Sequence, residues 1–398
     1  MTLFFLKKNN FCDNIFARNR GMAMERDFLP LTIDKRKLYV VRDLLEVKKE
    51  ELEEFLQDNT YMNSQEFATN VLFSQEIKSN NTVEGYNDDV GLVYNILNNN
   101  LKISDKNKVQ RIKNLSNGYK YILKGNEINK DNLKNLYSLL SKKLLTKEDL
   151  YKMADYYRKD PVYIYYSSNL EIEPDMGLPA NQLDLYMDEF FNYINSNTSL
   201  VSNTEHFIKS QIMHFQFVNI HPYYDINGRT SRTVSMWYLL NNKAYPYIIF
   251  NRAIILDKKN YYKIIRDVKK YHNVTYFINY MLENVRVELE KEYVMDMIKS
   301  SSEKLSSVDY QTMYYILSKN GMLTVKDFIN FYNMYNDKKK FREIYEEMIV
   351  PLMDKGIIIK GRETNSLLNN GEPNFTFKLN ENKFDYDNQK IKYLKLKK

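Results

Sequence analysis

Apolar residues recur every three to four positions through most of the chain, which is the period of an α-helix with one buried face. In the segment 43–57 (DLLEVKKEELEEFLQ), four apolar residues share one face and charged residues cover the others. Apolar stripes of the same period run through 183–194, 208–215 and 274–285. The pattern predicts a mainly α protein with a helical bundle in the middle of the chain.

Two parts of the chain break the helical period. Pro161–Tyr166 (PVYIYY) begins with proline and continues with β-branched and aromatic residues, which indicates a short edge strand or hairpin. Near the end, Gly356–Gly361 and Asn374–Leu379 are typical of two strands, joined by a loop that contains NNGEP. Because three apparent helices between 308 and 354 precede these strands, the order of elements fits a winged helix.

These changes of pattern divide the chain into four predicted regions. We expect an N-terminal helical region (1–74), a central helical domain (75–299), a winged-helix-like domain (300–381) and a basic tail (382–398). The serine-rich segment Ser300–Ser307 is the best candidate for a linker. The tail, which ends in KIKYLKLKK, is expected to be loose.

The composition excludes several classes of protein. A single cysteine, Cys12, cannot form an internal disulfide, and with four histidines no Cys/His spacing would hold zinc. No run reaches the roughly 18 apolar residues that span a bilayer, and the apolar start is too short for a secretory signal. We therefore expect a cytoplasmic protein without a membrane partner. The net charge is +7, and the excess positive charge is concentrated in Lys338–Arg342 and the tail. These basic runs are either solvated surface or a contact with nucleic acid.

The densest chemistry lies between two predicted helices, in HPYYDINGRTSR at 221–232. Pro222 forbids a simple continuation of the first helix, so HPYYDING is predicted to be a loop that leads into a second helix over 230–241. Asn227 and Gly228 tolerate a left-handed backbone, so successive amides can turn inward as an anion nest. The helix that follows adds free N–H groups and the positive end of its dipole.

Charged and titratable side chains of the same segment suit phosphate chemistry. Arg229 and Arg232 are three positions apart and share a helical face, where both can reach a polyphosphate. His221 suits a neutral base that deprotonates an attacking hydroxyl, and Asp225 suits a hard ligand for Mg²⁺. The plainer alternatives are a helix-end histidine, a helix-capping aspartate and two surface arginines.

HPYYDINGRTSR resembles the Fic signature HxFx(D/E)GN(G/K)RxxR. The matching positions are His221, Asp225, Asn227, Gly228, Arg229 and Arg232. Two positions depart from the signature. Tyr223 replaces the usual phenylalanine, and Ile226 replaces the first glycine, where a β-branched side chain resists a positive φ and projects where phosphate should approach. The resemblance implies a Fic-type helical bundle that uses ATP and Mg²⁺.

A segment before the loop also resembles the family. Pro161, Val162, Tyr163 and Ile164 are similar to the start of the Fic flap, a hairpin that holds the backbone of a target protein by strand addition. The resemblance therefore implies a protein partner that carries the acceptor hydroxyl.

SNNTVEG at 79–85 resembles the inhibitory motif (S/T)xxxE(G/N) of the family. Glu84 and Gly85 are in register, whereas Asn80 stands where the motif has serine or threonine. In the family this glutamate pairs with the second arginine, here Arg232, and blocks the γ-phosphate. The resemblance thus implies autoinhibition by an N-terminal helix, and a solvated helix-end carboxylate is the alternative.

Together these features favour transfer of AMP from ATP to a Ser, Thr or Tyr hydroxyl of a protein, with self-modification as the first product to seek. One alternative is Fic-type transfer or removal of another nucleotide or phosphate group, which is considered because Ile226 replaces the first glycine of the signature. Another is a DNA-binding or scaffold protein with a weakened site, in which the third helix of the winged-helix-like domain presents Lys338–Arg342 to DNA. The sequence leaves the target, the relieving signal and a homodimer open.

Overall fold

The computed structural model describes most of the chain. The described residues are 25–58, 71–88, 90–99, 103–164, 175–196, 202–244, 250–301, 305–319, 321–333, 341–367, 373–384, 387 and 389–396. Among the features of the sequence analysis, Cys12, residues 369–372 of the NNGEP loop and Lys338–Lys340 lie outside them.

The described part of the N-terminal region contains a β-hairpin as well as a helix. Strands β1 (Arg26–Ile33) and β2 (Arg36–Val41) pair antiparallel, and α1 (Arg42–Asp58) follows directly. The sequence analysis treated this region as helical because of the amphipathic pattern at 43–57, and the hairpin turn lacks the glycine that would have marked it. Asp34 and Lys35 nevertheless both have positive φ (47° and 65°), as a tight hairpin turn requires.

Helices form the central bundle. They are α2 (Val71–Val83), α3 (Val90–Leu97), α4 (Lys106–Ile122), α5 (Lys130–Ser141), α6 (Lys147–Tyr151), α7 (Leu183–Asn195), α8 (Asn203–Ile220), α9 (Asn227–Asn241), α10 (Phe250–Ile255), α11 (Lys258–Tyr271) and α12 (Thr275–Ser301). The predicted mainly α fold is confirmed. No helix in the described ranges is long and apolar enough to cross a membrane.

Helices α8 and α9 form the centre of the bundle. They pack against each other, and nearly all of their residues are buried. A helix that is buried on all sides lies inside a core and cannot shift without disturbing its neighbours. The loop between them, which carries the signature motif, is therefore attached at both ends to the most enclosed elements of the fold.

The short hairpin predicted near Pro161–Tyr166 is confirmed. Strand β3 (Tyr163–Ile164) pairs antiparallel with β4 (Asp175–Met176), with Tyr163 opposite Met176. The residues between the two strands lie outside the described ranges.

The C-terminal part contains both predicted strands and one more. In chain order the elements are α13 (Ser307–Ser318), β5 (Met322–Thr324), α14 (Val325–Asn333), α15 (Phe341–Ile344), a π-helical turn (Tyr345–Ile349), α16 (Val350–Asp354), β6 (Ile358–Leu367) and β7 (Pro373–Leu379). The strands form an antiparallel sheet in the order β5-β7-β6. The winged helix itself stays a prediction.

The last described residues are held against the bundle, where the sequence analysis expected a loose tail. The carboxylate of Glu290 on α12 accepts the backbone N–H groups of Lys392, Tyr393 and Leu394, at 3.0, 2.9 and 2.6 Å. Arg286 pairs with the same carboxylate at 2.8 Å, and the side chain of Leu394 is buried. Neither contact is visible in a lysine-rich sequence.

Candidate active site

His221 stands where α8 ends. Its backbone is left-handed (φ 52°, ψ 58°), its N–H donates to Phe217 O at 3.0 Å, and Pro222 follows, so the helix does not continue. The ring atom Nδ1 lies 3.1 Å from Val218 O. Because a carbonyl oxygen only accepts, Nδ1 carries the ring proton and Nε2 keeps its lone pair.

The His221 imidazole is neutral at physiological pH. Burial lowers the pKa of His221 to about 4, and the positive charges of Arg158 and Lys269 act in the same direction. The hydrogen bond to Val218 O and the negative charge of Glu84 oppose this shift without cancelling it. A ring that is unprotonated near neutral pH can accept a proton from a substrate.

Arg158 has a role that the sequence analysis missed. Its Nε donates to His221 O at 2.8 Å, and its backbone N–H donates to Pro222 O at 2.8 Å. Its guanidinium also donates to Asp160 O at 2.9 Å and to Leu178 O, which flank the two flap strands. Burial lowers the pKa of Arg158 to about 10, so the group still carries its charge at neutral pH. The only signal for Arg158 in the sequence is its position just before the flap segment.

Asn227 braces the loop between α8 and α9 from within. Its Oδ1 accepts the N–H of Tyr223 at 2.9 Å, and its Nδ2 donates to Tyr223 O at 2.7 Å. Helix α9 begins at the same residue. The sequence analysis placed the left-handed backbone at Asn227 and Gly228, whereas the structure places it one residue earlier, at Ile226 (φ 69°).

Ile226 adopts the conformation that a β-branched residue was expected to resist. Its side chain is 2 % exposed and packs in the hydrophobic core, so it does not project into the site as the sequence analysis expected. A left-handed residue other than glycine costs about 1–3 kcal/mol. Burial of an isoleucine side chain contributes about 1.5–3 kcal/mol. Burial therefore offsets the strain.

Glu84 lies over the first turn of α9. Its Oε1 is 2.5 Å from Nη2 of Arg232, and a Cβ added at Gly228 would lie 2.5 Å from the same oxygen. A side chain at Gly228 is therefore incompatible with this position of Glu84. A carboxylate at the start of a helix is stabilised by the positive end of the dipole. The first turn of α9 is thus an anion site, and Glu84 is its anion.

Two arginines surround this anion. Burial alone would raise the pKa of the Glu84 carboxyl, but Arg232 and Arg229 outweigh it and hold that pKa below its usual value. Both arginines are buried. Arg232 pairs with Glu84, whereas Nε of Arg229 has no hydrogen-bond partner in the described part of the chain. An orphaned guanidinium N–H beside an anion site has the chemistry to bind a phosphate.

Asn80 on α2 contacts Arg232 directly, although it departs from the inhibitory motif. Its Oδ1 accepts from Nε and Nη2 of Arg232 at 2.9 and 2.8 Å. Its Nδ2 donates to the Tyr119 hydroxyl at 3.0 Å. The asparagine therefore joins α2 to α9 through the same guanidinium that Glu84 engages.

Two residues of α11, neither of which the sequence analysis singled out, hold the end of α2. Lys258 Nζ donates to Thr82 O at 3.2 Å, and the Tyr262 hydroxyl donates to Val83 O at 2.9 Å. The last carbonyls of a helix have no partner within the helix, so these two donors cap them. They fix the backbone immediately before Glu84.

Asp225 is the carboxylate that could hold a metal ion. It is exposed, and its Oδ1 accepts the N–H of Ile226 at 2.6 Å. Over the described ranges, no group of three or more His, Cys, Asp or Glu side chains is arranged to hold a metal ion. Mg²⁺ is commonly held by one or two carboxylates together with substrate phosphates and water. A single aspartate close to the anion site fits that mode.

The flap lies beside His221. Of the residues assigned to target docking, Val162 and Ile164 are buried, whereas Pro161 and Tyr163 are exposed. Asp175 of the flap pairs with Lys269 of α11 at 3.3 Å, and the charge of Lys269 also acts on His221. Lys269 therefore pairs with the flap and also acts on His221 through its charge.

The structure thus brings the signature residues, Glu84 and the flap to one end of α8 and α9. This architecture is the Fic fold: a Fic family protein from Desulfovibrio desulfuricans G20 superposes with a TM-score of 0.55 at 17 % identity, over 88 % of this chain and 97 % of that chain. Fic-1 from C. elegans superposes with a TM-score of 0.46 at 16 % identity, over 65 % of this chain and 73 % of that chain.

Residues 127–239 match the Fic/DOC family, so the chain contains a Fic domain over these residues. The match covers the flap, α8, the loop and most of α9. Helix α2 and Glu84 lie before it. The domain identifies the protein as a transferase of the Fic type.

Proposed function

We propose that this chain transfers AMP from ATP to a Ser, Thr or Tyr hydroxyl of a protein, and that Glu84 holds it inactive at rest. The observation that carries the proposal is the position of the Glu84 carboxylate, on the first turn of α9 and 2.5 Å from Arg232. A phosphate of ATP would need the same helix end and the same guanidinium. Glu84 and the nucleotide therefore compete.

The proposed reaction starts from the neutral His221. Its Nε2 accepts the proton of the target hydroxyl while the hydroxyl oxygen forms a bond to the α-phosphorus. The bond from that phosphorus to the oxygen that bridges to the β-phosphate breaks, and pyrophosphate leaves. Arg229, Arg232 and the amides of the α9 N-terminus stabilise the negative charge that develops on the phosphates.

Mg²⁺ would be held by Asp225 together with the phosphates of the nucleotide. When bound, the ion supplies positive charge that neutralises those phosphates. The protein target would add its backbone as a strand at the flap edge that carries Tyr163, next to His221. The chain itself is the first acceptor to examine, because it is present in every assay.

Label transfer from α-labelled ATP tests the proposal. We expect the Glu84→Gly variant to label itself or an added protein at least about tenfold faster than the wild type, because the competitor of the phosphate is gone. The His221→Ala variant and the double variant should transfer nothing, since the proton acceptor is lost. Thermal unfolding of each variant controls for folding.

The outcome that rejects the proposal is a Glu84→Gly variant that transfers no more label than His221→Ala. A panel of ATP, GTP, CTP and UTP in the same assay separates AMP transfer from transfer of another nucleotide. That panel addresses the departure at Ile226, whose buried side chain leaves the site open to a nucleotide.

A further inference from the structure

Tyr137 on α5 carries a buried hydroxyl that nothing in the described residues satisfies. Its side chain is 7 % exposed, and its Oη has no hydrogen-bond partner in the described part of the chain. Buried polar groups without partners are uncommon, because they lose water without gaining a protein contact. Such groups therefore point to a ligand when they face a binding site.

The ring of Tyr137 is fixed against the loop of the site. It stacks on the ring of Tyr223 with centroids 3.7 Å apart and planes 10° from parallel. Tyr223 is held in turn by both hydrogen bonds from the Asn227 side chain. The hydroxyl of Tyr137 is thus presented from a rigid helix by a rigid ring, with little freedom to seek another partner.

The surroundings of this hydroxyl are those of the proposed phosphate site. Burial raises the pKa of Tyr137, the charge of Asp225 raises it further, and Arg229 opposes both. The phenol therefore stays protonated and remains a donor. The Nε of Arg229 is likewise without a hydrogen-bond partner in the described ranges. Two donors without partners in the described ranges therefore border the loop and the first turn of α9, one on the ring that stacks on Tyr223 and one on Arg229.

We infer that Tyr137 is a binding residue of the nucleotide site, whose hydroxyl donates a hydrogen bond to a phosphate oxygen that Arg229 also binds. The inference rests on the proposed function, because it takes a polyphosphate as the ligand of this site. It assigns a role to α5, which carries none of the signature residues.

Tyr157 provides a matched control within the same aromatic cluster. Its ring lies 6.4 Å from that of Tyr223, and it is buried to a similar extent. The carboxylates whose charge raises the pKa of its hydroxyl are Asp184 and Asp188 on α7, and neither Asp225 nor Arg229 is among the groups that shift this pKa. Removal of this hydroxyl tests the effect of a Tyr→Phe change on the cluster without touching the phosphate position.

Calorimetry with Mg-ATP and with Mg-tripolyphosphate tests the inference in the Glu84→Gly protein. We expect Tyr137→Phe to weaken binding of both ligands about tenfold, the typical effect of one hydrogen bond to a charged group. Tyr157→Phe should change neither affinity by more than about twofold. Without ligand, Tyr137→Phe should leave Tm unchanged or raise it, because an unsatisfied hydroxyl is removed.

Unchanged affinity in Tyr137→Phe overturns the inference and leaves the proposed function intact. A lowered Tm without ligand also overturns it, because that result marks the hydroxyl as structural. If the Glu84→Gly protein binds neither ligand, the proposed function fails and the inference falls with it. If it binds tripolyphosphate alone, ATP is the wrong donor, and the tripolyphosphate arm still decides the role of Tyr137.

Discussion

Replacing Glu84 with glutamine removes the charge of the competing group and keeps its shape. In the structure this carboxylate is 2.5 Å from Arg232, which also donates to Asn80 Oδ1. The pKa of the Glu84 carboxyl lies below its usual value, so the pair is ionised at neutral pH. The change therefore removes the attraction between opposite charges and leaves a hydrogen bond from the charged guanidinium to a neutral amide oxygen.

The magnitude follows from the kind of contact that is lost. A hydrogen bond to a charged group contributes about 1.5–3 kcal/mol and one between neutral groups about 0.5–1.5 kcal/mol, so the variant keeps a bond with one charged partner and loses only the contribution of the second charge. The Glu84 side chain is 27 % exposed, so solvent screening places the difference near the lower end, at about 1 kcal/mol. Since 1.4 kcal/mol corresponds to a tenfold change, we expect Mg-ATP to bind about fivefold tighter to Glu84→Gln.

Calorimetry in a His221→Ala background measures this affinity without turnover. Glu84→Gly should bind tighter still, because no side chain remains above Gly228. In the absence of nucleotide, Glu84→Gln should lower the free energy of unfolding by about 1 kcal/mol, because buried Arg232 loses an opposite charge. If neither variant binds Mg-ATP more tightly than the parent, Glu84 does not compete with the nucleotide and the reasoning is refuted.

Three further predictions follow from other contacts. In Glu84→Gly, kcat/KM should stay level from pH 8 to about 5 and fall only below it, because the lowered pKa of His221, about 4, keeps the base neutral; a fall centred near ~6.5 contradicts this. Ile226→Gly should lower the free energy of unfolding by about 1–3 kcal/mol in urea titrations, because lost burial exceeds the relief of strain; a more stable variant contradicts this. Glu290→Gln should speed tryptic cleavage within 389–396, because an amide cannot accept all the N–H groups that the carboxylate accepts; an unchanged rate shows that other contacts hold this segment.

The helical bundle and the loop were predictable because their signals are local. The helical period marks α8 and α9, and Pro222 marks the end of the first. The same holds for the flap, whose β-branched and aromatic residues interrupt the period. The signature and inhibitory motifs also gave Arg232 and Glu84, which the structure brings together although 148 positions separate them in the chain.

The remaining features depend on contacts that no local pattern encodes. Intrinsic preference argued against a left-handed Ile226, but its burial outweighs the strain. The turn at Asp34 and Lys35 lacks the glycine that marks tight hairpins, so β1 and β2 were missed. The hold of Glu290 on the C-terminal residues joins positions about 100 apart, and only the folded chain brings them together.

The guanidinium of Arg158 donates hydrogen bonds to the backbone carbonyl of His221 and to the backbone on both sides of the flap, at Asp160 and Leu178. The flap and the imidazole of His221 are therefore expected to move together as one unit. If a target protein binds to the flap in the wrong position, we expect the flap to displace the His221 imidazole from the acceptor hydroxyl. Binding of the target at the flap and proton transfer to His221 would then be coupled, so that a wrongly bound protein is not modified even when the nucleotide is bound.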